Sequence, residues 1–304
     1  MAGEGDLFDV IVIGGGLGGL TAAREAAARG LSVASVDDGG HMGGLVMNVG
    51  HVEDYPAAGE ASGMDLAVAE LEALVEHGVD IVPEAAIRLD IDQDIKTVTT
   101  DSGAHRAKTV VLASGARLKS LGVPGEERLF GRGVSQCAGC DAGFFVDQDV
   151  VVIGGGDSAL QEALHLTDYV RGITLVTRGS ALRAKQSFVS RAADNPKIAV
   201  RCETVVTEIL GEDDVSGVRV TPADGGPAED LACTGAFVFV GLEPNLDYLP
   251  AEIERDAAGC IVTGPNFQTN VPGVYAVGAV RAGDTGQLAG AVGDAAAVAA
   301  RIAG

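Results

Sequence analysis

Residues 10–27 read VIVIGGGLGGLTAAREAA, and residues 150–166 read VVVIGGGDSALQEALHL, the same pattern displaced by 140 positions. Each copy is a short apolar strand, a glycine-rich turn and an alanine-rich helix. Each leads to a second short strand, LSVASV at 31–36 and ITLV at 173–176. A strand, a G-x-G-x-x-G/A turn and a helix form the phosphate-binding unit of a dinucleotide fold. The first glycine makes the tight turn and the second lets a pyrophosphate approach the backbone. The third position must be small so that helix and strand can pack. The helix N-terminus then offers unpaired N–H groups and partial positive charge to phosphate. Gly14, Gly16 and Gly19 fill these places in the first copy, and Gly154, Gly156 and Ala159 in the second. One such turn is weak evidence, because an ordinary glycine turn in an α/β protein looks alike. Two copies in the same strand–turn–helix context predict two nucleotide sites.

The ends of the second strands separate the ligands. Asp37 lies 23 residues after Gly14, where a carboxylate accepts ribose hydroxyls and repels a 2′-phosphate. The equivalent position is Thr177, followed by Arg178, with Arg183 and Lys185 nearby. Arginine suits forked phosphate contacts. The first copy therefore reads as a site for FAD or NAD, the second as a site for NADP. Solvated surface charge is the alternative for Arg178 and Arg183.

Around the repeat, VVLASGA (110–116) ends at a small-residue turn and GAFVFVG (235–241) reads as a buried strand running into the GLEPN break at 241–245. The breaks near 116–118 and 241–245 bracket the second copy. The expectation is an α/β chain of two Rossmann-like, three-layer ββα domains, the second inserted in the first: 1–117 with 245–304, and 118–244. The segment 198–240 reads as short strands of a meander, NVPGVYAVGAV (270–280) as a further turn and strand, and the tail from Gln287 as a terminal helix.

Composition excludes other classes. The 304 residues carry 21 basic and 43 acidic side chains, a net charge of −22, which argues against nucleic acid and anionic membrane as partners. With 47% hydrophobic residues the chain can bury a core. The acidic start MAGEGDLFDV lacks a signal-peptide apolar region, and no 18-residue apolar run occurs. A cytoplasmic location is the expectation.

Of five cysteines, Cys202, Cys233 and Cys260 are isolated and read as small buried hydrophobes. Cys137 and Cys140 form the C-x-x-C of CAGCD, ahead of the strand at 150. Such a pair can close a small disulfide at a helix start, where thiolate character is raised, and the adjoining Asp141 can move a proton. Metal binding needs two further ligands, and no second C-x-x-C or H-x-x-x-H is present. Two buried thiols are the remaining alternative. Beside two dinucleotide motifs, redox chemistry is favoured. His41 and His51 read as polar loop residues.

GGGLGG (14–19), GG (43–44), VEDYP (52–56), ASGA (113–116), GRGVSQCAGCDAGFF (131–145), GGGDSALQEA (154–163), GLEPN and VPGVYAVG (271–278) together resemble the low-molecular-weight thioredoxin reductases over essentially the whole chain. The resemblance implies an FAD domain split by an inserted NADPH domain, in a homodimer. NADPH, with NADH the lesser expectation, gives hydride to the flavin. The flavin reduces Cys137–Cys140, and the pair reduces a thioredoxin-like protein or a small-molecule disulfide. Cys140 matches the cysteine facing the flavin, Cys137 the exchanging cysteine and Asp141 the acid/base. Gly43, Gly44, Gly115, Gly278, Gln287 and Leu288 match flavin contacts, and Asp157 and Ser158 join the NADPH contacts. The family's domains swivel, which would place the swivel at 116–118 and 241–245. Five positions depart from the family pattern. Thr177 stands for a histidine and Gly179 for an arginine, although Arg178 and Arg183 remain. Ala279 stands for an aspartate that bonds the ribityl chain, which costs ~1–3 kcal/mol of binding. Gly286 stands for an arginine and Leu45 for a glutamine. A dithiol oxidase on the same fold, or a redox sensor without turnover, are the rival readings.

Overall fold

The computed structural model describes residues 7–39, 42–50, 52, 55, 59–91 and 94–304. His41, His51 and most of the VEDYP motif lie outside them.

Along the chain, β1 (Leu7–Ile13), α1 (Leu17–Ala28), β2 (Val33–Asp37), α2 (Gly63–Glu76), β3 (Asp80–Pro83), β4 (Arg88–Asp90), β5 (Lys96–Thr99), β6 (Ala104–Leu112) and β7 (Ala116–Leu118) come first. There follow β8 (Val134–Ser135), α3 (Ala138–Asp141), β9 (Asp149–Ile153), α4 (Asp157–Leu166), β10 (Gly172–Val176), α5 (Gln186–Asp194), β11 (Ile198–Arg201), β12 (Thr204–Leu210), β13 (Gly217–Pro222), β14 (Glu229–Ala232) and β15 (Gly235–Val238). The chain ends with β16 (Leu242–Pro244), β17 (Val274–Ala276) and α6 (Leu288–Ile302). Two compact units result, 1–117 with 243–304, and 118–242.

In the first unit β3, β2, β1 and β6 lie side by side and parallel, with β17 joining β6 in parallel; β5 and β4 extend the sheet antiparallel. Successive side chains of a strand point to opposite faces. Val10 and Val12 of β1 accordingly pack with Leu20, Ala23 and Ala26 of α1 and Ala295, Val298 and Ala299 of α6. Ile11 and Ile13 turn to the other face, onto Leu89, Val98, Leu246, Ile253 and Ile261.

The second unit repeats the logic. Its sheet runs β11-β10-β9-β15-β8, all parallel. Val150 and Val152 meet the helix face with Leu160, Leu166 and Phe188. Val151 and Ile153 meet Val206, Val218 and Val220 of the antiparallel β12-β13-β14 meander. Helices, parallel sheet and meander make the three layers of a ββα unit. The meander is shorter than the segment 198–240: Ile198–Arg201 joins the parallel sheet beside β10, and β15 lies within it. The strand expected over 110–116 ends at Leu112, because the chain turns away at Gly115 with φ +66°. Cys233 is buried, but Cys202 and Cys260 are only half-buried, so they do not serve as core residues.

Candidate functional site

The two glycine turns are built alike. Gly14 N–H donates to Val36 O at 2.8 Å, and Gly154 N–H to Val176 O at 2.9 Å, tying each turn to the end of the second strand. Both glycines have positive φ, +118° and +147°. A Cβ would stand 2.2 Å from Ala113 O at Gly14, and 2.2 Å from Phe239 O at Gly154. Gly16 and Gly156, by contrast, have open space where a Cβ would be. They are the N-caps of α1 and α4, and neither helix start has a side-chain cap. The first N–H groups of each helix thus face outward over a glycine surface, which suits a pyrophosphate. At Gly19 a Cβ would lie 1.9 Å from Gly14 O. Ala159, its counterpart, is fully buried, its Cβ 2.9 Å from the place of a Cβ at Gly154.

The second-strand ends occupy matching places. The Asp37 carboxylate accepts Gly15 N–H at 2.6 Å and Gly39 N–H at 3.2 Å. The Thr177 hydroxyl lies against Gly155 in the same way, 2.5 Å from a Cβ built there, and accepts Gly179 N–H at 3.4 Å. The correspondence extends to the next loop: Gly43 N–H donates to Gly15 O, and Arg183 N–H to Gly155 O, both at 2.6 Å. Positions 43 and 183 are again 140 apart. One unit therefore carries a glycine at φ +113° where the other carries an exposed arginine. The repeat, followed past the second strand, contains this signal.

In the second unit a cavity of about 720 Å³ spans this surface. It is lined by Gly154–Ala159, Thr177, Arg178, Arg183 and the 118–123 segment, so Gly156, Asp157, Ser158 and both arginines lie together. A volume in the 300–1,000 Å³ range suits a cofactor. Arg178 and Arg183 are exposed, and among the described residues neither is in an ion pair. Asp157 is held in place, accepting Lys185 N–H at 2.7 Å. Lys119, which the motif reading does not single out, also lines the cavity.

In the first unit, Gly43 and Gly44 approach the glycine turn; a Cβ on Gly44 would stand 3.0 Å from Gly16 Cα. Gly18 and Gly278 face Ala291 of α6, at 3.4 Å and 3.2 Å from a built Cβ to Ala291 Cβ. This brings the Gly278–Ala279 turn to the start of α6, where Gln287 is the N-cap and Leu288 the first residue. Gly115 O accepts Asn245 N–H, and Ser114 Oγ bonds Asn245 O and the Tyr248 hydroxyl, so the 113–116 turn is pinned to the returning chain. Burial raises the Tyr248 hydroxyl well above the usual phenol range. An adenine dinucleotide without a 2′-phosphate fits the turn and the Asp37 carboxylate. At position 279 an alanine stands where the resemblance implies an aspartate, so this turn offers no side-chain carboxylate.

Cys137 and Cys140 form a disulfide across one turn, Cα–Cα 5.3 Å. Cys137 is the N-cap of α3 and half-buried, whereas Cys140 is exposed. Asp141, half-buried, ends α3, its N–H donating to Cys137 O at 3.2 Å. Beneath the pair, Glu162 of α4 accepts Ala138 N–H at 2.9 Å, with the Gly139 amide near the same carboxyl. Burial pushes the Glu162 carboxyl upward, while those two amides and His165 draw it back. A half-buried glutamate on a surface helix leaves no mark in the sequence pattern, so Glu162 is a residue that motif reading misses. Among the described residues no group of three or more His, Cys, Asp or Glu is placed to hold a metal ion, and no helix is long and apolar enough to cross a membrane.

Two dinucleotide-type turns and one C-x-x-C disulfide in a chain of this topology define a flavin- and pyridine-nucleotide-dependent disulfide oxidoreductase. The family pyridine nucleotide-disulphide oxidoreductase matches residues 8–298. The thioredoxin reductase of Streptomyces clavuligerus is 38% identical over 90% of this chain and 86% of its own length, and that of Treponema pallidum 37% over 94% and 93%. The crystal structure of Lactococcus lactis thioredoxin reductase superposes with a TM-score of 0.93 at 35% identity, covering 97% of both chains. The chain belongs to the thioredoxin reductase family of pyridine nucleotide-disulphide oxidoreductases.

Proposed function

We propose that this enzyme passes electrons from NADPH through FAD to Cys137–Cys140 and on to the disulfide of a thioredoxin, acting in the cytoplasm as a homodimer. The observation that carries the reading is the disulfide at the head of α3 in a chain with two matched glycine turns, one ending in a carboxylate and the other beside two exposed arginines on a cavity wall. The unit 1–117 with 243–304 takes FAD, and the unit 118–242 takes the nicotinamide cofactor.

Gly14 and Gly16 would hold the FAD pyrophosphate against α1, Gly19 would keep that helix close to the turn, and Asp37 would accept the ribose hydroxyls. Gly43, Gly44, Gly115, Gly278, Gln287 and Leu288 line the remainder. Gly154, Gly156 and Ala159, with Asp157 and Ser158, seat the second dinucleotide, and Arg178 and Arg183 take a 2′-phosphate, which favours NADPH over NADH. Bound flavin supplies an acceptor for hydride and a donor of two electrons. When the pair is reduced, the sulfur–sulfur bond breaks and two electrons come to rest on the two sulfurs. By the family resemblance, Cys140 is the sulfur that would take electrons from the flavin. Asp141, next in the chain, delivers the proton that leaves one sulfur as a thiol. The Cys137 thiolate then attacks a disulfide sulfur of the partner, releasing the partner's other sulfur as a thiolate that takes a proton. Cys140 attacks the mixed disulfide, expels the partner's second sulfur and restores the Cys137–Cys140 bond. Thioredoxin is favoured because the relatives that match most of the chain carry that name.

The test is an anaerobic titration with NADPH and then NADH, followed in the flavin spectrum. Bleaching by NADPH, with two further electrons recovered as thiols in Cys137 and Cys140, is the expected result. A flavin that neither nucleotide reduces, but that a dithiol reduces and air reoxidises, overturns it in favour of a dithiol oxidase. Loss of thioredoxin reduction in Cys137→Ser, with flavin bleaching retained, assigns the exchanging sulfur.

A further inference from the structure

Glu162 is the one carboxylate bonded to the backbone of the redox loop among the described residues, and neither nucleotide turn uses it. It lies on α4, six residues past Gly156, where the helix turns toward α3 rather than toward the cavity. Its Oε2 accepts Ala138 N–H at 2.9 Å, and the Gly139 amide lies near the same carboxyl. These are the amides that follow Cys137. The next, Cys140 N–H, points to Cys137 Sγ at 3.1 Å. Of three successive N–H groups at this loop, the first goes to a carboxylate and the third to the cysteine sulfur.

That division has an electrostatic consequence. A sulfur gaining electrons is stabilised by N–H groups and cations and opposed by a nearby anion. Backbone donors satisfied by a carboxylate are withdrawn from the sulfurs, and a negative charge is fixed one peptide from Cys137. We propose that Glu162 is a positioning residue that sets the reduction potential of the Cys137–Cys140 pair, holding the loop through the Ala138 amide while its charge disfavours the thiolate of the reduced state. The inference rests on the reading of Cys137–Cys140 as the redox centre. The electrons come from the nicotinamide cofactor of the family's reaction; Glu162 adds none and forms no bond to sulfur. It alters the balance between the disulfide plus two electrons and two protons, and the dithiol. The titratable groups nearest in the fold are His165, one turn along α4, and Asp141 at the end of α3. Of the other elements packed on α4, α5 carries Arg191 and Asp194, and β9 carries Asp149, which pairs with Arg171.

The variant Glu162→Gln keeps an oxygen for the Ala138 amide and removes the charge. Glu162→Ala removes both. The holoenzyme is equilibrated anaerobically in glutathione buffers of stepped ratio, alkylated, and read by mass spectrometry of the Cys137–Cys140 peptide, which separates this pair from Cys202, Cys233 and Cys260. With Gln, the equilibrium constant moves toward the dithiol by three- to tenfold at pH 8, tenfold being about 30 mV for two electrons. The displacement narrows at pH 6, where less thiolate forms, and the alkylation pKa of Cys137 in the reduced enzyme falls in parallel. A purely structural role predicts instead that Gln matches the wild type while Ala alone departs from it, and that result overturns the proposal. Circular dichroism and the bound flavin spectrum confirm that Gln leaves the fold intact. Should Ala fail to fold, the Gln comparison decides alone. A pair that equilibrates with glutathione as described but is not reduced by NADPH removes the functional reading and leaves this inference standing.

Discussion

Gly19→Ala places a methyl group where the backbone allows none. The added Cβ would stand 1.9 Å from Gly14 O, 3.0 Å from Gly14 C and 3.3 Å from Ala113 Cβ. Carbon contacts are favourable at about 3.5 Å or more, so the closest approach is roughly 1.5 Å short. The obstacle is backbone, which no rotamer change removes. Either α1 moves off β1 or the Gly14 turn moves away from β6. Overpacking of this kind costs about 1–3 kcal/mol, which for a unit of this size lowers Tm by about 2–12 °C. Movement of the turn also displaces the α1 N–H groups from the pyrophosphate. A hydrogen bond to a charged group is worth about 1.5–3 kcal/mol, so losing one weakens flavin binding tenfold or more. The informative control is Gly16→Ala. Nothing lies within 4 Å of a Cβ there, and its φ of −70° suits alanine. That variant should melt as the wild-type apoprotein does, yet bind flavin weakly, because the methyl occupies the pyrophosphate's approach. The assays are thermal unfolding of apoprotein and fluorescence titration with FAD. Unchanged melting and full flavin in Gly19→Ala would refute the packing argument. Full flavin in Gly16→Ala would refute the placement of the pyrophosphate.

Ala279→Asp supplies the carboxylate that the family has at this turn, and should tighten FAD binding by about 1–3 kcal/mol, measured by the same titration. Arg183→Ala should raise KM for NADPH about ten- to a hundredfold, one charge-assisted phosphate contact, while KM for NADH stays within a factor of two in steady-state assays. Asp9 is held at about 2, below its usual 3.8, by Lys108 and by the Ser32 backbone and hydroxyl. A depressed carboxyl stabilises the fold above its unfolded pKa and ceases to do so as pH falls through the folded one. Asp9→Asn should therefore be less stable to urea than wild type at pH 5, and the difference should close between pH 3.8 and about 2. Burial pushes the Cys233 thiol up to about 12, so under native conditions at pH 8 iodoacetamide should label Cys202 well before Cys233, as peptide mapping would show.

The fold was largely legible because its signals are periodic. Strand alternation in DVVVI sends Val150 and Val152 to helices and Val151 and Ile153 to the meander, and the repeat announces that the first unit is built alike. What escaped reading was short or local. The β4 and β8 strands have three and two residues, too few for a period to register. Glu162 looks like any helical glutamate until the loop it bonds is folded against it. The most informative omission is the pair Gly43 and Arg183. Their loops differ in sequence, so only the 140-residue offset aligns them, yet both donate an N–H to the middle glycine of their turn. A common frame thus carries opposite chemistry at two paired positions, Asp37 against Thr177 and Gly43 against Arg183. On the proposed reading, one unit needs a carboxylate for ribose hydroxyls and a bare backbone under a bulky ligand. The other needs no carboxylate and a cation for a phosphate. Exchanging only these pairs tests whether selectivity resides in them. Thr177→Asp with Arg183→Gly should abolish the preference for NADPH over NADH while NADH is still turned over. A preference that survives the exchange would shift the discrimination to Arg178 and Lys119, the other cations on the cavity wall.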